Sequence, residues 1–224
     1  MTDLHQQLAQ ATVFEKLPPK EIDLLVRNSI MKRLHRGDVL CHQGDDWSYA
    51  ALVARGELRW AILSISGREQ VLFRVESGRT FWAHALFDGE PMPASLTASK
   101  ASLVYLWPRE VIAPILSRNP ALLWEIMRMI MGTMRRAREV IYGLAFTPVA
   151  GRLAKLLLDQ AAGQEGQLVQ REMTLSEIAS MVASSQEVVC RLLYQFQADE
   201  IIALNRTSFK VNDPSALKKM VEKS

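Results

Sequence analysis

Apolar positions change their period along this chain, and each change marks a new kind of element. Over residues 3–29, Leu4, Leu8 and Ala11, and later Ile22, Leu25 and Val26, recur at helical spacing, with Pro18-Pro19 breaking the stretch. From Met31 to Trp107 the helical period disappears. Glycines 37, 44, 56, 67 and 78 punctuate short apolar runs, the last three at intervals of eleven. The runs Val39–Cys41, Ala50–Val53, Leu58–Leu63, Gln70–Val75 and Leu103–Leu106 predict short strands in a small sandwich or barrel. Ser66-Gly67-Arg68 between two of them reads as a hairpin turn.

A long helix follows. Pro108, Pro114 and Pro120 sit early, Pro148 closes the stretch, and no proline interrupts residues 121–144. Leu123, Met127, Ile130, Met134, Ala137, Ile141 and Leu144 repeat at 4-3-4-3-4-3 spacing, a heptad seam from which Arg128, Arg135, Arg136, Arg138 and Glu139 are excluded. Such a seam predicts a helix paired with its twin in a homodimer. The alternative is a helix laid on its own barrel. Gly143 and Phe146-Thr147-Pro148 then offer a hinge. Residues 149–162 read as a helix, 163–166 as a turn and 167–173 as a short strand.

The sharpest signal lies in residues 174–199. Thr174 with Glu177 three residues on is a capping box. Ile178, Ala179 and Val182 give a short apolar face, Ala183-Ser184-Ser185 breaks it, and Ser185 can cap a second helix buried through Val188, Val189, Leu192, Leu193 and Phe196. Two helices joined by so short a turn, with small Ala179 where they cross, predict a helix-turn-helix. Gln186, Glu187, Cys190 and Arg191 would be exposed at the start of the second helix, where this motif meets base edges. Arg can bind guanine in bidentate fashion and Glu can accept from cytosine N4. Ile201–Leu204, the turn Asn205–Ser208 and Phe209–Val211 follow as a two-strand wing.

Charge narrows the picture only slightly. The net charge is +3, and residues 118–144 hold all of it, with five Arg against two Glu; both flanks are neutral. Nucleic-acid binding therefore rests on pattern, not on bulk charge. Hydrophobic residues make up 49% of the chain, no apolar run approaches a membrane span, and Met1–His5 lacks a signal-peptide pattern. Cys41 and Cys190 lie far apart, which reads as reduced thiols in a cytoplasmic protein. No P-loop, Gly-x-Ser-x-Gly, His-Glu-x-x-His or Cys-x-x-Cys motif supports an enzyme.

Taken together, the chain resembles the Crp/Fnr family of bacterial transcription regulators over nearly its whole length. Arg36-Gly37-Asp38-Val39-Leu40-Cys41-His42-Gln43-Gly44-Asp45 is similar to the family's barrel-entry motif, and Gly56-Glu57-Leu58 to its conserved turn. Glu187-Val188-Val189-Cys190-Arg191 resembles the recognition motif Glu-x-x-Ser-Arg, with Cys190 in place of Ser. The resemblance implies an α+β protein: a cyclic-nucleotide-binding-type β-barrel (jelly roll, residues 1–117), a dimerisation helix (118–144) and a winged helix-turn-helix (145–224). It further implies double-stranded DNA and RNA polymerase as partners, Glu187 and Arg191 as base readers, and Thr174 and Ser176 as phosphate contacts. Ser185 and Gln186 complete the expected DNA-facing set. An alternative is a regulatory module that acts through protein partners without binding DNA.

The effector region departs from that pattern. In the family's cyclic-nucleotide binders a Phe-Gly-Glu run and a later Arg hold the ribose and the cyclic phosphate. Here Trp82 stands for the Gly and Ala83 for the Glu, and Glu90–Ser95 holds no Arg. Cyclic AMP is therefore not expected as ligand. An iron–sulfur cluster needs more cysteines than the two present. Haem through His84 is a minor alternative. The resemblance puts the effector pocket at Trp82, Ala83, His84, Met92, Ala137 and Arg138. Trp82, Phe87, Met92 and Trp107 either line an apolar pocket or fill the barrel core, the second reading being preferred. Cys190, between Glu187 and Arg191, is a candidate redox position, since oxidation would set a negative charge against the duplex.

Overall fold

The computed structural model describes residues 4–222 except Ser66, Arg68, Glu165 and Glu172. The expected hairpin turn at Ser66-Gly67-Arg68 and the turn at 163–166 thus fall partly outside the described residues. Within them Gly67, Gly163 and Gly166 all take positive φ. Contacts divide the chain into two compact units, residues 1–67 with 71–136, and residues 137–224 with the short piece 68–70.

The first unit starts with helices α1 (Leu4–Gln10) and α2 (Pro19–Arg27), separated at the proline pair as the sequence predicts. Eight strands follow: β1 (Ile30–Leu34), β2 (Val39–Cys41), β3 (Tyr49–Arg55), β4 (Glu57–Leu63), β5 (Glu69–Glu76), β6 (Thr80–Trp82), β7 (Ser95–Ala98) and β8 (Ser102–Pro108), with the one-turn helix α3 (Ala85–Asp88) between β6 and β7. They form two four-stranded sheets, ordered β1-β8-β3-β6 and β2-β7-β4-β5. The pairing is antiparallel throughout the described registers, with Ala51 opposite both Phe81 and Leu106, and Trp60 opposite Leu96. Leu52, Leu58, Leu96, Val104 and Trp107 all lie in the core of this unit. The Trp107 indole N–H donates to the Leu25 carbonyl at 2.7 Å, fastening α2 to β8.

Two details show the sequence motifs at work. In the barrel-entry motif, the Asp38 and Asp45 carboxylates each accept from the backbone N–H three residues upstream, His35 and His42, both at 2.7 Å. In the Gly56-Glu57-Leu58 turn, a Cβ on Gly56 would fall 2.4 Å from the Ala101 carbonyl oxygen, so only glycine fits beside β8. The neighbouring Glu57 is buried and accepts from Arg74 Nη1 at 2.9 Å, which gives the buried carboxylate the partner it requires.

The long helix expected at 118–144 forms, but it does not follow the strands directly, because a shorter helix comes first. Helix α4 (Arg109–Arg118) contains Pro114 and ends at Asn119; helix α5 (Pro120–Phe146) begins with Pro120 at a first-turn position that needs no N–H. Nor does α5 end at Gly143, part of the expected hinge. It runs on to Phe146, and the break comes at Thr147-Pro148. A single glycine costs a helix only about 1 kcal/mol, too little to stop one here. No helix among the described residues is long and apolar enough to cross a membrane.

The second unit holds α6 (Val149–Ala161), β9 (Val169–Gln170), α7 (Leu175–Met181), α8 (Gln186–Ala198), β10 (Ile202–Leu204), β11 (Ser208–Val211) and α9 (Pro214–Glu222). Strands β10, β11 and β9 make an antiparallel sheet of three, one strand more than the two-strand wing alone. Leu153, Leu157, Val189, Leu193, Phe196, Phe209 and Leu217 form its core. Helix α9 was not foreseen. Its start is marked by Asp213, whose carboxylate accepts from Ala216 N at 3.0 Å, and by Pro214. Gly151 lets α6 approach α9: a Cβ there would sit 2.6 Å from the Met220 carbonyl oxygen.

Candidate nucleic-acid interface

Helix α7 begins with the full capping box. Glu177 N–H donates to Thr174 Oγ1 at 3.2 Å and Thr174 N–H to the Glu177 carboxylate at 2.8 Å. Ser185 caps α8 by accepting from Val188 N–H at 3.3 Å. Between the helices Ala183 sits at φ +50°, a left-handed conformation that costs a non-glycine residue roughly 1–2 kcal/mol. Ser184 N–H then turns back to the Ala179 carbonyl at 3.0 Å. Ile178, Ala179 and Val182 of the first helix and Val189, Leu193 and Phe196 of the second are buried together in one core. That burial fixes the angle of α8 and leaves its polar positions facing outward.

Thr174, Ser176, Ser185, Gln186, Glu187 and Arg191 are all exposed. Cys190 is half-buried and not exposed as expected, so it is less open than Gln186, Glu187 and Arg191, the three other residues of α8 that the sequence places toward solvent. An exposed helix start with Ser, Gln and Glu, followed one turn on by Arg, offers both donors and acceptors to base edges, and helix N-termini favour phosphate. Tyr194, 63% exposed on the same helix, was not singled out from the sequence.

Sequence reasoning also missed Arg152. It lies in the first turn of α6, half-buried, and its guanidinium donates to carbonyls on both sides of it: Thr147 at 2.6 Å and Gly143 at 3.3 Å, Val182 at 2.9 Å and Ala183 at 3.5 Å. Burial lowers its pKa from the ordinary arginine value. An arginine in an otherwise apolar helical turn was the only available signal.

The region expected to take an effector is built differently. Trp82, Ala83, Met92 and Ala94 are all at most 5% exposed and belong to the apolar core of the first unit. The Trp82 ring lies 6.0 Å from Phe14 and 6.4 Å from the exposed Phe87, and its N–H donates to Thr80 at 3.1 Å. The loop carrying Met92 is tied to the 42–45 turn by two backbone bonds of 2.8 Å. Trp82 and Trp107 thus pack on Phe14 of the N-terminal segment, on the face of β6 and β8 opposite to Phe81 and Leu106. Phe81, not Trp82, turns toward Trp60 and Phe73 between the sheets. The two tryptophans neither line a pocket nor fill the space between the sheets as expected. His84 is exposed and stacks on Trp60, ring centroids 5.2 Å apart at 15°. The Trp60 N–H is buried with no acceptor among the described residues. Ala137 and Arg138 lie on α5, half-buried and exposed respectively. No group of three or more metal-ligating side chains occurs among the described residues.

On α5 itself two apolar faces coexist. Leu122 and Ile126 are buried and Met129 and Ile130 pack against the barrel core, while Arg136 lies over the Phe73 ring at 5.9 Å. Leu123, Met127, Met134, Ile141 and Leu144 are between 40% and 66% exposed. Of the predicted seam only Ile130 is committed to the barrel, and Ala137 is half-buried.

Comparison with known proteins agrees with this architecture. Residues 31–119 match the cyclic nucleotide-binding domain and residues 151–220 the Crp-like helix-turn-helix domain. The chain is 26% identical over 215 residues to the CRP-like cAMP-activated global transcriptional regulator of Mycobacterium tuberculosis, covering 94% of this chain and 96% of that one. It is 25% identical over 210 residues to the cyclic AMP receptor protein of Thermus thermophilus, covering 93% and 95%. Its fold superposes with a TM-score of 0.79 on a Crp/Fnr-family crystal structure from Eubacterium rectale, at 21% identity over 95% of this chain and 99% of the other. With a barrel, a long helix and a winged helix-turn-helix in this order, the chain belongs to the Crp/Fnr family of DNA-binding transcription regulators, which are not enzymes.

Proposed function

We propose that the protein works as a homodimer, paired through α5, that reads a near-palindromic operator with one α8 in each of two successive major grooves. The observation that carries this is the exposed apolar stripe of α5. Leu123, Met127, Met134, Ile141 and Leu144 leave unburied the kind of surface that a parallel two-stranded coil covers. A two-fold axis along that stripe spaces the recognition helices by about 34 Å, one turn of DNA. In this arrangement Arg191 donates to a guanine and Glu187 accepts from a cytosine. Gln186 and Ser185 border the same groove, and Thr174 and Ser176 touch phosphates. The bound dimer acts in the cytoplasm and meets RNA polymerase at the promoter.

The effector that enters through the barrel is a small ligand other than cyclic AMP. Two of the relatives are named for cyclic AMP. A ribose hydroxyl needs an acceptor and a cyclic phosphate needs a cation, and Ala83 and the Glu90–Ser95 stretch supply neither. Leaving those ligand groups desolvated without partners costs about 1–3 kcal/mol each. Haem at His84 would require the ring to leave its stack on Trp60; the visible spectrum of the purified protein is expected to lack a Soret band.

The dimer is tested by the pair Met134→Asp and Ile141→Asp. Both side chains are exposed in the single chain, at 61% and 66%, so the barrel should keep its stability. Sedimentation should show monomer, and a double mutant that stays dimeric rules α5 out as the interface. Ile130→Asp is a poorer probe, because Ile130 packs against the barrel core.

A further inference from the structure

The four carbonyl groups held by Arg152 belong to two separate segments. Gly143 and Thr147 form the last turn of α5 and its exit. Val182 and Ala183 are the C-cap of α7 and the strained residue that starts the turn into α8. Ser185, two residues beyond Ala183, is the N-cap of α8. A guanidinium carries five donors in a rigid plane, so it can hold both pairs of carbonyls at once. A lysine ammonium, a single point on a flexible stem, cannot span them.

We propose that Arg152 is a positioning residue for DNA recognition: it contacts no base, but clamps the end of α5 to the α7–α8 turn and so sets where the start of α8 stands. The inference rests on α8 being the DNA-reading helix. The clamp keeps Ala183 in its left-handed conformation and orients Ser185, Gln186 and Glu187. A displacement of the last turn of α5 therefore reaches the first turn of α8 through one side chain, and this is the point at which a change in α5 would alter operator affinity.

The test uses the full chain and an operator enriched from a random duplex pool by the parent protein. Arg152→Lys keeps the charge; Arg152→Met keeps the bulk and removes the donors. Each is assayed by thermal melt, by binding to the operator and to random duplex, and by amide hydrogen exchange. Arg152→Lys should melt within a few degrees of the parent. Its preference for operator over random duplex should fall at least tenfold, while random-duplex binding stays within about twofold. The Ser184 and Val188 amides should exchange at least tenfold faster, with amides of Leu153, Leu157 and Leu217 unchanged. Arg152→Met should lose as much preference or more. If Arg152→Lys discriminates as well as the parent, or if exchange rises equally throughout α6, α8 and α9, Arg152 is a stability residue and the proposal is wrong. Should Arg152→Met fail to fold, Arg152→Lys alone decides. A parent protein that enriches no sequence at all would instead contradict the operator-reading function itself. That result is distinct from failure of the clamp, which shows as a parent that discriminates and an Arg152→Lys variant that discriminates equally well.

Discussion

The start of α8 and the stretch from β6 to β7 occupy comparable places in the logic of the family, one meeting DNA and the other a ligand, yet they are built in opposite ways. Around α8 the apolar side chains point inward to a shared core, while Thr174, Ser176, Ser185, Gln186, Glu187 and Arg191 stand in solvent, Thr174 and Ser185 held there by their capping bonds. Around β6 the positions where the cyclic-nucleotide pattern has Gly and Glu are filled by Trp82 and Ala83, buried and apolar, and the loop after α3 is held shut by backbone bonds at Gly44 and Met92. Recognition chemistry requires polar groups that are fixed but accessible. The winged helix has them and the filled cassette does not. The residues for DNA reading can thus persist in a chain whose β6–β7 stretch lacks the residues of the cyclic-nucleotide pattern.

The sharpest way to break this contrast is to empty the cassette. Trp82→Ala removes a buried ring and should destabilise the barrel by about 3–5 kcal/mol. All five tryptophans lie between residues 47 and 124, so their fluorescence in a denaturant series follows the first unit alone. If the variant keeps its stability and gains affinity for cyclic AMP in calorimetry, the cassette is merely covered and not rebuilt. On the opposite side, Arg191→Ala removes an exposed side chain and should leave stability unchanged. Operator affinity should fall by about 1–3 kcal/mol, with relaxed preference at one base pair per half-site. Equal weakening on every sequence would make Arg191 a phosphate contact.

The two cysteines sharpen the same contrast on a smaller scale. Cys41 is 2% exposed, and burial pushes its thiol up to about 12. Its folded-state value is raised, so the stability it contributes is complete below the unfolded thiol's pKa. It is lost as pH climbs from about 9 towards 12, at about 1.4 kcal/mol per pH unit. The barrel's denaturation midpoint should therefore fall between pH 8 and pH 10, and Cys41→Ala should remove that slope. Cys190, half-buried on α8, should be the thiol that reacts at neutral pH. Peroxide should weaken operator binding in the parent and spare Cys190→Ser; equal loss in both would place the damage elsewhere, for example among the ten methionines.

Much of this was legible because the relevant patterns are local. The capping box at Thr174, the cap at Ser185 and the apolar spacing of α8 are each written within four residues, and the structure forms all of them. Glycine punctuation located β2, β3, β4, β5 and β8, whereas β1, β6 and β7 carry no clean alternation and were not read as strands. Helix α9 was overlooked because its nine residues bury only Leu217 fully, even though Asp213-Pro214 announced its start. The heptad seam was read correctly as apolar, but periodicity cannot say which covering surface claims a residue, and Ile130 went to the barrel. Arg152 stayed invisible for a related reason: its acceptors are backbone carbonyls near positions 145 and 182, and backbone groups leave no mark on the sequence.

The proposed function joins a DNA-reading module to a barrel that is expected not to answer to cyclic AMP. The most direct measurement is fluorescence anisotropy of the parent protein with its enriched operator and with random duplex, in the presence and absence of saturating cyclic AMP, at one fixed salt concentration. Preference for the operator by about 10³-fold or more, unchanged by the nucleotide, is the predicted result. Binding that fails to distinguish operator from random duplex, or that distinguishes them only when cyclic AMP is added, would contradict it.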